Sequence, residues 1–132
     1  DALPIFYRDH WLKASPRVVV VDLGYNDKWF EDEFAASLKE LLEINRKNNI
    51  KTIFVAEPCS WEANPSELKT HALMRKAAAG AGVSLVDAHA KMKQEIARGF
   101  LWWDDIHPTS FGHRLLSGYI CEELEKTLSE HP

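Results

Sequence analysis

Asp104 and His107 stand three positions apart in the segment WWDDIHP (residues 102–108), just ahead of a predicted C-terminal helix. A carboxylate paired with an imidazole can fix the tautomer of the ring and stabilise the imidazolium that forms when the ring takes a proton from a nucleophile. We therefore interpret Asp104 as an orienting acid and His107 as a general base. The alternative is a surface turn whose acid caps the helix, because a four-residue match is common by chance.

A second polar segment follows a run of β-branched residues. Residues 17–23 read RVVVVDL and lead directly into Gly24-Tyr25-Asn26-Asp27. Such a continuous apolar run predicts a strand that is buried on both faces, as in a parallel sheet. The next four residues should then lie at the carboxyl end of that strand, where ligand crevices form in open α/β sheets. There Asn26 can donate its side-chain amide to an oxyanion, or it can simply shape the turn.

Together the two segments resemble the SGNH, or GDSL, hydrolase family. GYND at residues 24–27 is similar to the family's third block, GxND, and DDIHP at residues 104–108 is similar to its fifth block, DxxHP. The blocks occur in the family's order, and the resemblance covers roughly residues 17 to 128. It implies that Asp104 and His107 complete a catalytic triad with a serine, and we place Asn26 and Gly24 in the oxyanion hole.

Two other blocks of the family are not found in this sequence. In the family the nucleophile lies in a Gly-Asp-Ser block after the first strand, and a glycine of the second block supplies another oxyanion donor. No Gly-Asp-Ser occurs here, and no serine follows a strand that precedes the valine-rich run. We therefore expect the C-terminal part of such an enzyme, with its nucleophilic serine outside these 132 residues and no activity of its own.

Composition limits the other classes of function. A chain of 132 residues, 45% hydrophobic and 27% charged, is long enough for one domain and too short for two. Its net charge of -4 and its interspersed charges argue against a nucleic-acid partner. No apolar run is long enough to span a membrane, and no signal peptide is present. Because the chain begins at Asp1 instead of Met, we expect a processed, trimmed or tag-cleaved product, and among locations we favour an extracytoplasmic one.

The order of predicted elements indicates an α/β protein, a three-layer α/β/α fold with a flavodoxin-like parallel sheet. Sequence patterns predict a helix over residues 31–47, a strand over 51–57, a helix over 66–79, a strand over 83–86 and a helix over 88–98. Thr109 or Ser110 should cap a last helix that presents five apolar residues to the core: Leu115, Leu116, Tyr119, Ile120 and Leu124. An aromatic stretch within residues 1–16 could form a further helix.

The predicted sheet is incomplete on its N-terminal side. In a flavodoxin-like strand order, two further strands would lie beside the strand that begins at Val18. Without them the valine-rich edge is bare, and an exposed apolar edge pairs readily with another chain. A three-stranded sheet is also near the lower limit of independent stability. We expect a separate N-terminal fragment, a second copy of the chain, or residues 1–16 to cover this edge.

Side chains near the predicted carboxyl edge of the sheet supply further candidates for the site. Trp29, Trp61 and Trp103 can wall a pocket that stacks acyl chains or sugar rings, with ordinary core packing as the alternative. Cys59 and Ser60 also follow a strand, but nothing nearby predicts the strained elbow that a nucleophile usually occupies. We therefore do not assign the nucleophile to either of them.

The sequence predicts no metal and no cofactor. His10, His71, His89 and His131 are scattered, and no pair has the spacing of metal ligands with a third ligand in view. His113 is interpreted as a packing or capping residue near the last helix. The two cysteines, Cys59 and Cys121, are too few for a disulfide framework, so one bridge or two free thiols remain open.

The sequence therefore predicts a serine ester hydrolase that acts on a small acyl ester, such as an acetylated sugar or a lipid. Transfer of the acyl group to another alcohol is also open, because the same triad serves both reactions. The competing hypothesis is a non-catalytic α/β module of the same fold that binds or assembles with a partner. The missing serine block favours that module if these residues are the entire protein.

Overall fold

The computed structural model describes residues 7–27, 29–59 and 65–129, in which strands and helices alternate. Two short helical turns come first, a π-helical turn at Tyr7–Trp11 and a 3-10 turn at Leu12–Ala14. The remaining elements are β1 (Val18–Asp22), α1 (Glu31–Lys47), β2 (Lys51–Ala56), α2 (Pro65–Ala81), β3 (Ser84–Asp87), α3 (Ala88–Gln94), a 3-10 turn (Ile96–Arg98) and α4 (Ser110–Ser129). The predicted order is confirmed, although the helix predicted over 88–98 ends at Gln94 and continues only as the 3-10 turn.

The three strands form one parallel sheet in the order β1-β2-β3. In its register Val18 pairs with Lys51, and Ile53 pairs with Ser84. Helices α1 and α2 pack on one face of the sheet and α4 packs on the other. Since a parallel sheet is stable only when both faces are covered, this arrangement gives the predicted three-layer α/β/α fold.

The core has one part on each side of the sheet. On the first face Val21 and Phe54 pack against apolar side chains of α1 and α2, among them Phe34, Leu38 and Met74. On the second face Ile53, Val55 and Val86 pack against Leu116, Tyr119, Ile120 and Leu124 of α4. The predicted core face of α4 is therefore confirmed, because Leu115 also packs, against the neighbouring cluster around Met92.

Strand β1 departs from the prediction that it is buried on both faces. Val21 is buried, but Val20 is 39% exposed. In β2, by contrast, every residue from Thr52 to Ala56 is buried. The reason is that β1 is the edge strand, so Val18 still packs into the cluster between the sheet and α4 while Val20 does not. Within the described residues, the valine-rich edge is bare, as the incomplete sheet predicts.

The predicted helix within residues 1–16 is replaced, from Tyr7 onward, by the two short turns. Tyr7 is buried, and its hydroxyl donates to Asn45 Oδ1 of α1 at 2.5 Å. Asn45 Nδ2 in turn donates to Thr52 Oγ1 of β2 at 2.9 Å. This buried chain of hydrogen bonds fastens the N-terminal segment to the face covered by α1, on the side of the sheet away from α4.

Helix α4 begins at a tight contact with the loop before it. Thr109 Oγ1 accepts a hydrogen bond from the Gly112 amide at 3.1 Å, so Thr109 caps the helix as predicted. A Cβ on Gly112 would lie 2.3 Å from the carbonyl oxygen of Leu101 and 3.0 Å from Pro108 Cβ. Glycine at this position therefore allows the loop to pack directly on the first turn of α4.

None of the helices in the described residues is long and apolar enough to cross a membrane.

Two glycines of α4 offer a matched test of this contact. Gly112→Ala should lower the free energy of unfolding by about 1–3 kcal/mol, because the added methyl group must displace the Leu101 backbone. Gly118→Ala should raise it by about 0.5–1 kcal/mol, since that position has open space and alanine favours a helix interior. Urea unfolding of both variants measures the difference. Equal stabilisation by the two substitutions would show that the Gly112 contact is not tight.

Candidate active site

Asp104 and His107 form a hydrogen-bonded pair in the loop between the 3-10 turn and α4. Asp104 Oδ2 lies 2.7 Å from His107 Nδ1. The other carboxylate oxygen, Oδ1, accepts from the backbone amides of Ile106 at 2.9 Å and His107 at 2.8 Å. One carboxylate thus holds both the backbone and the ring of His107. The side chain of Asp104 is 55% exposed and that of His107 is 69% exposed.

The same hydrogen bonds set the charge of Asp104. Donation from the Ile106 amide, and then from the His107 side chain, lowers the pKa of Asp104 to about 2. The carboxylate is therefore ionised at neutral pH and can only accept hydrogen bonds. Nδ1 of His107 must carry the proton that it shares with Asp104. In a neutral ring this leaves Nε2 as the acceptor, which is the state a general base requires.

The loop that carries Asp104 and His107 is closed by hydrogen bonds between its two ends. Trp102 and Pro108 form an isolated antiparallel bridge, and the amide of Thr109 donates to the carbonyl oxygen of Leu101 at 2.8 Å. The buried Trp102 donates from Nε1 to the carbonyl oxygen of Pro58 at 2.6 Å, just past β2. The loop is therefore fastened both to the start of α4 and to the carboxyl edge of the sheet.

Asn26 and His107 line the same pocket at that edge. Its volume is about 370 Å³, and it also contains Asp22, from the end of β1, and Glu57, which follows β2. A larger cleft, of about 1100 Å³, lies at the amino ends of β2 and β3 and contains none of the predicted site residues. Of the two clefts, the smaller is the candidate active site, because it brings together the predicted base, His107, and the predicted oxyanion donor, Asn26.

Gly24 lies beside this pocket and does not line it. It is buried with a φ of 141°, and a Cβ there would lie 3.3 Å from Thr70 Oγ1 of α2. Glycine is suited to this position because it tolerates that φ and allows the β1 turn to approach α2 closely. Its role in the oxyanion hole stays a prediction.

Of the three tryptophans predicted to bind substrate, the structure describes two, and neither lines the pocket. Trp29 and Trp103 are exposed and do not line the pocket, while Trp61 lies outside the described residues, as does Ser60. Trp103 packs edge-on against Phe100, with ring centroids 5.4 Å apart. The roles of these tryptophans in substrate binding stay predictions.

Several polar residues of the pocket were missed by reasoning from sequence. Burial, with the Asp22 carboxylate nearby, raises the pKa of Glu57 to about 7. Cys59 Sγ lies 3.1 Å from His89 Nδ1, and burial raises the pKa of the Cys59 thiol to about 12. Both cysteines are free thiols, so the bridge that the sequence left open is not formed. The sequence had already placed Cys59 at this edge, without assigning it a role. Glu57 follows β2 and His89 follows β3, so the argument that located Asn26 would also have located them.

The hydrogen bond from His107 to Asp104 can be tested by titration. His107→Ala should raise the pKa of Asp104, because it removes a donor to the carboxylate. The pKa should still stay below its ordinary value, since the Ile106 amide continues to donate. Carbon NMR of the Asp104 carboxyl group measures both values. A carboxyl group that titrates identically in the two proteins would contradict the side-chain hydrogen bond.

Solved structures share this fold over nearly the whole chain. The acetyl xylan esterase AlAXEase is 20% identical, with a TM-score of 0.79, over 91% of this chain and 73% of its own. Axe2, an acetylxylan esterase from Geobacillus stearothermophilus, is 20% identical, with a TM-score of 0.79, over 92% of this chain and 65% of its own. LAE5, an α/β hydrolase from the metagenome of Lake Arreo, Spain, is 20% identical, with a TM-score of 0.78, over 92% of this chain and 65% of its own.

This chain therefore spans about two thirds to three quarters of the length of those structures. No curated protein matches it. The model of the GDSL-like lipase/acylhydrolase family matches residues 5–115, a range that includes the Asn26 turn and the Asp104–His107 pair. Because that match covers most of the sequence, the chain belongs to the GDSL-like lipase/acylhydrolase family.

Proposed function

We propose that this chain supplies the acid–base pair and an oxyanion donor of a serine ester hydrolase. The observation that carries the proposal is the 2.7 Å contact between Asp104 and His107, in a loop that brings His107 to the same pocket as Asn26. Membership in a family of lipases and acylhydrolases supports the same class of reaction.

In the proposed mechanism His107 moves a proton and the other two residues stabilise charge. A serine hydroxyl attacks the ester carbonyl while Nε2 of His107 takes its proton, and Asp104 stabilises the imidazolium. The Asn26 amide donates to the oxyanion of the tetrahedral intermediate. His107 then gives its proton to the leaving alcohol, and the acyl-serine is cleaved by water in a second round of the same steps.

The nucleophilic serine is proposed to come from outside these 132 residues. The sequence contains no Gly-Asp-Ser, and the solved structures with this fold are longer than the chain. The bare edge of β1, with Val20 exposed, offers a surface on which the remaining part of the sheet can pair. We propose that a fragment carrying the serine adds to this edge, and that a second copy of the chain is the alternative occupant.

A small acyl ester, such as an acetylated sugar, is the proposed substrate. A pocket of about 370 Å³ is near the lower end of the usual range for ligand sites, and its lining includes the carboxyl groups of Asp22 and Glu57. Polar walls of this kind suit a sugar ester better than a long lipid chain. Two of the structures that share the fold are acetyl xylan esterases, which agrees with this choice.

The chain by itself should show no turnover of p-nitrophenyl acetate above that of buffer, and no labelling by a fluorophosphonate. The physical reason is that a base without a nucleophile contributes little to the reaction. Mass spectrometry of the labelled chain identifies any modified residue. A fluorophosphonate-labelled serine within these residues, together with turnover, would show that the nucleophile is inside the chain.

In the enzyme assembled with its serine, His107→Ala should lower kcat by about 10⁴-fold or more, and Asp104→Ala by a similar order. Triad members act as a unit, so the double variant should be little worse than His107→Ala alone. His113→Ala is the matched control, because His113 lines the same pocket without belonging to the pair. If the assembled protein has no serine-dependent turnover at all, the non-catalytic module is the correct alternative.

Asn26 distinguishes catalysis from turn formation. If its amide donates to the oxyanion, Asn26→Ala should lower kcat by about 10²–10³-fold with little change in KM. Asn26→Asp keeps the size of the side chain but places a negative charge beside the oxyanion, so it should be at least as damaging. Kinetics and melting temperatures are measured together on both variants. A near wild-type kcat for Asn26→Asp, with or without lower stability, would remove Asn26 from the mechanism.

A further inference from the structure

Three side chains of the kind that bind transition metals meet beside the active-site pocket. Cys59 follows β2, His71 lies in α2 and His89 lies in α3, and the three residues are 3%, 1% and 4% exposed. One donor atom of each residue lies within 4.8 Å of the donor atoms of the other two. Side chains from three separate segments therefore converge on one buried point.

The contacts within this cluster leave one buried polar atom unused. His89 Nδ1 lies 3.1 Å from Cys59 Sγ and also 3.1 Å from the Cys59 carbonyl oxygen, a contact that it gives up if it binds a metal. The rings of His71 and His89 are 5.2 Å apart between centroids. Nδ1 of His71 is buried and has no hydrogen-bond partner among the residues that the structure describes. Such an atom destabilises a fold unless something binds it. An ion at the centre of the cluster would supply that partner.

The donor types and their spacing suit tetrahedral zinc. Bonds of about 2.3 Å to sulfur and about 2.0–2.1 Å to nitrogen place the ligand atoms of a tetrahedral site about 3.3–3.6 Å apart. The 3.1 Å separation of Cys59 Sγ and His89 Nδ1 is already close to that value. The donor atoms all lie within 4.8 Å of one another, so movements of about 1 Å by side-chain rotation bring them to this spacing. Sulfur and imidazole donors also exclude Mg²⁺ and Ca²⁺, which take oxygen ligands.

Glu67 lies next to Cys59 and offers an acceptor for its proton. Its buried carboxyl group is hydrogen-bonded to the Cys59 thiol. The thiol must lose its proton when sulfur binds a metal, and a carboxylate at this position can accept it. Cys59, Glu67 and His71 all line the active-site pocket, so an ion or a water molecule can enter from that side.

We propose that Cys59, His71 and His89 bind one divalent transition-metal ion, with water in the fourth position, and the types of the donor atoms favour Zn²⁺. The ion joins the end of β2 to α2 and α3 at the wall of the pocket. This site takes no part in the proposed ester hydrolysis, and the inference stands whether or not that function is correct. It replaces the sequence-based expectation of no metal, which rested on the separation of the three ligands along the chain.

Titration of the metal-free 132-residue chain with Co²⁺ tests the site directly. We expect one Co²⁺ per chain, the visible d–d bands of a tetrahedral ion, and a sulfur-to-cobalt charge-transfer band that Zn²⁺ abolishes. Zn²⁺ should also raise the melting temperature, because an ion that binds the folded chain stabilises it. Absence of the charge-transfer band in the wild-type chain would overturn the proposal.

Variants show whether the signal comes from this cluster. Cys59→Ser should lose the charge-transfer band, whereas Cys121→Ser, which alters the exposed cysteine, should keep it. His71→Ala retains both thiols and should weaken Co²⁺ binding at least about 100-fold, since even the loss of an outer hydrogen-bond partner costs about 10–100-fold. Circular dichroism of each metal-free variant checks its fold. If Cys59→Ser does not fold, the Co²⁺ affinity of His71→Ala tests the site instead, and an unchanged affinity would overturn the proposal. A band that survives in Cys59→Ser and vanishes in Cys121→Ser would overturn the proposal.

Discussion

The burial of β2 on both faces is the constraint on which the rest of this structure depends. A parallel strand must have both of its faces covered, and here α1 and α2 cover one face while α4 covers the other. The crossovers that carry those helices bring the carboxyl ends of all three strands to one edge. Asn26 and Glu57, which follow β1 and β2, consequently line one pocket, and His89, which follows β3, contacts Cys59 at its wall.

The acid–base pair reaches that edge through a different kind of constraint. Asp104 and His107 are close because three residues separate them, and a carboxylate in such a turn accepts hydrogen bonds from the backbone as well as from the ring. The position of the turn in the molecule depends on contacts with β2 and α4. The Trp102 indole binds the carbonyl oxygen after β2, and Gly112 lets the loop lie against α4. The local geometry of the pair and its place in the pocket therefore have separate causes.

The edge strand shows what the described part of the fold leaves exposed. Val18 packs with the side chains of α4 on one face of the sheet, but Val20, on the same face of β1, is left 39% exposed. An apolar strand with an open edge and an open face is unusual for a parallel sheet, because such strands are normally covered by helices on both sides. The proposed placement of the serine-bearing part against β1 would complete the sheet and supply the nucleophile in a single step.

The amino-acid sequence by itself determined the order of strands and helices, the bounds of α1, the core face of α4 and the Asp104–His107 pair. These features depend on periodicity and on contacts between residues close in the chain, which a sequence displays directly. Tertiary structure decided the burial of each strand, the fastening of the Asp104 loop to β2, and the cluster of Cys59, His71 and His89. Each of these depends on contacts between distant segments, and no local pattern encodes the distance between a residue that follows β2 and residues in α2 and α3.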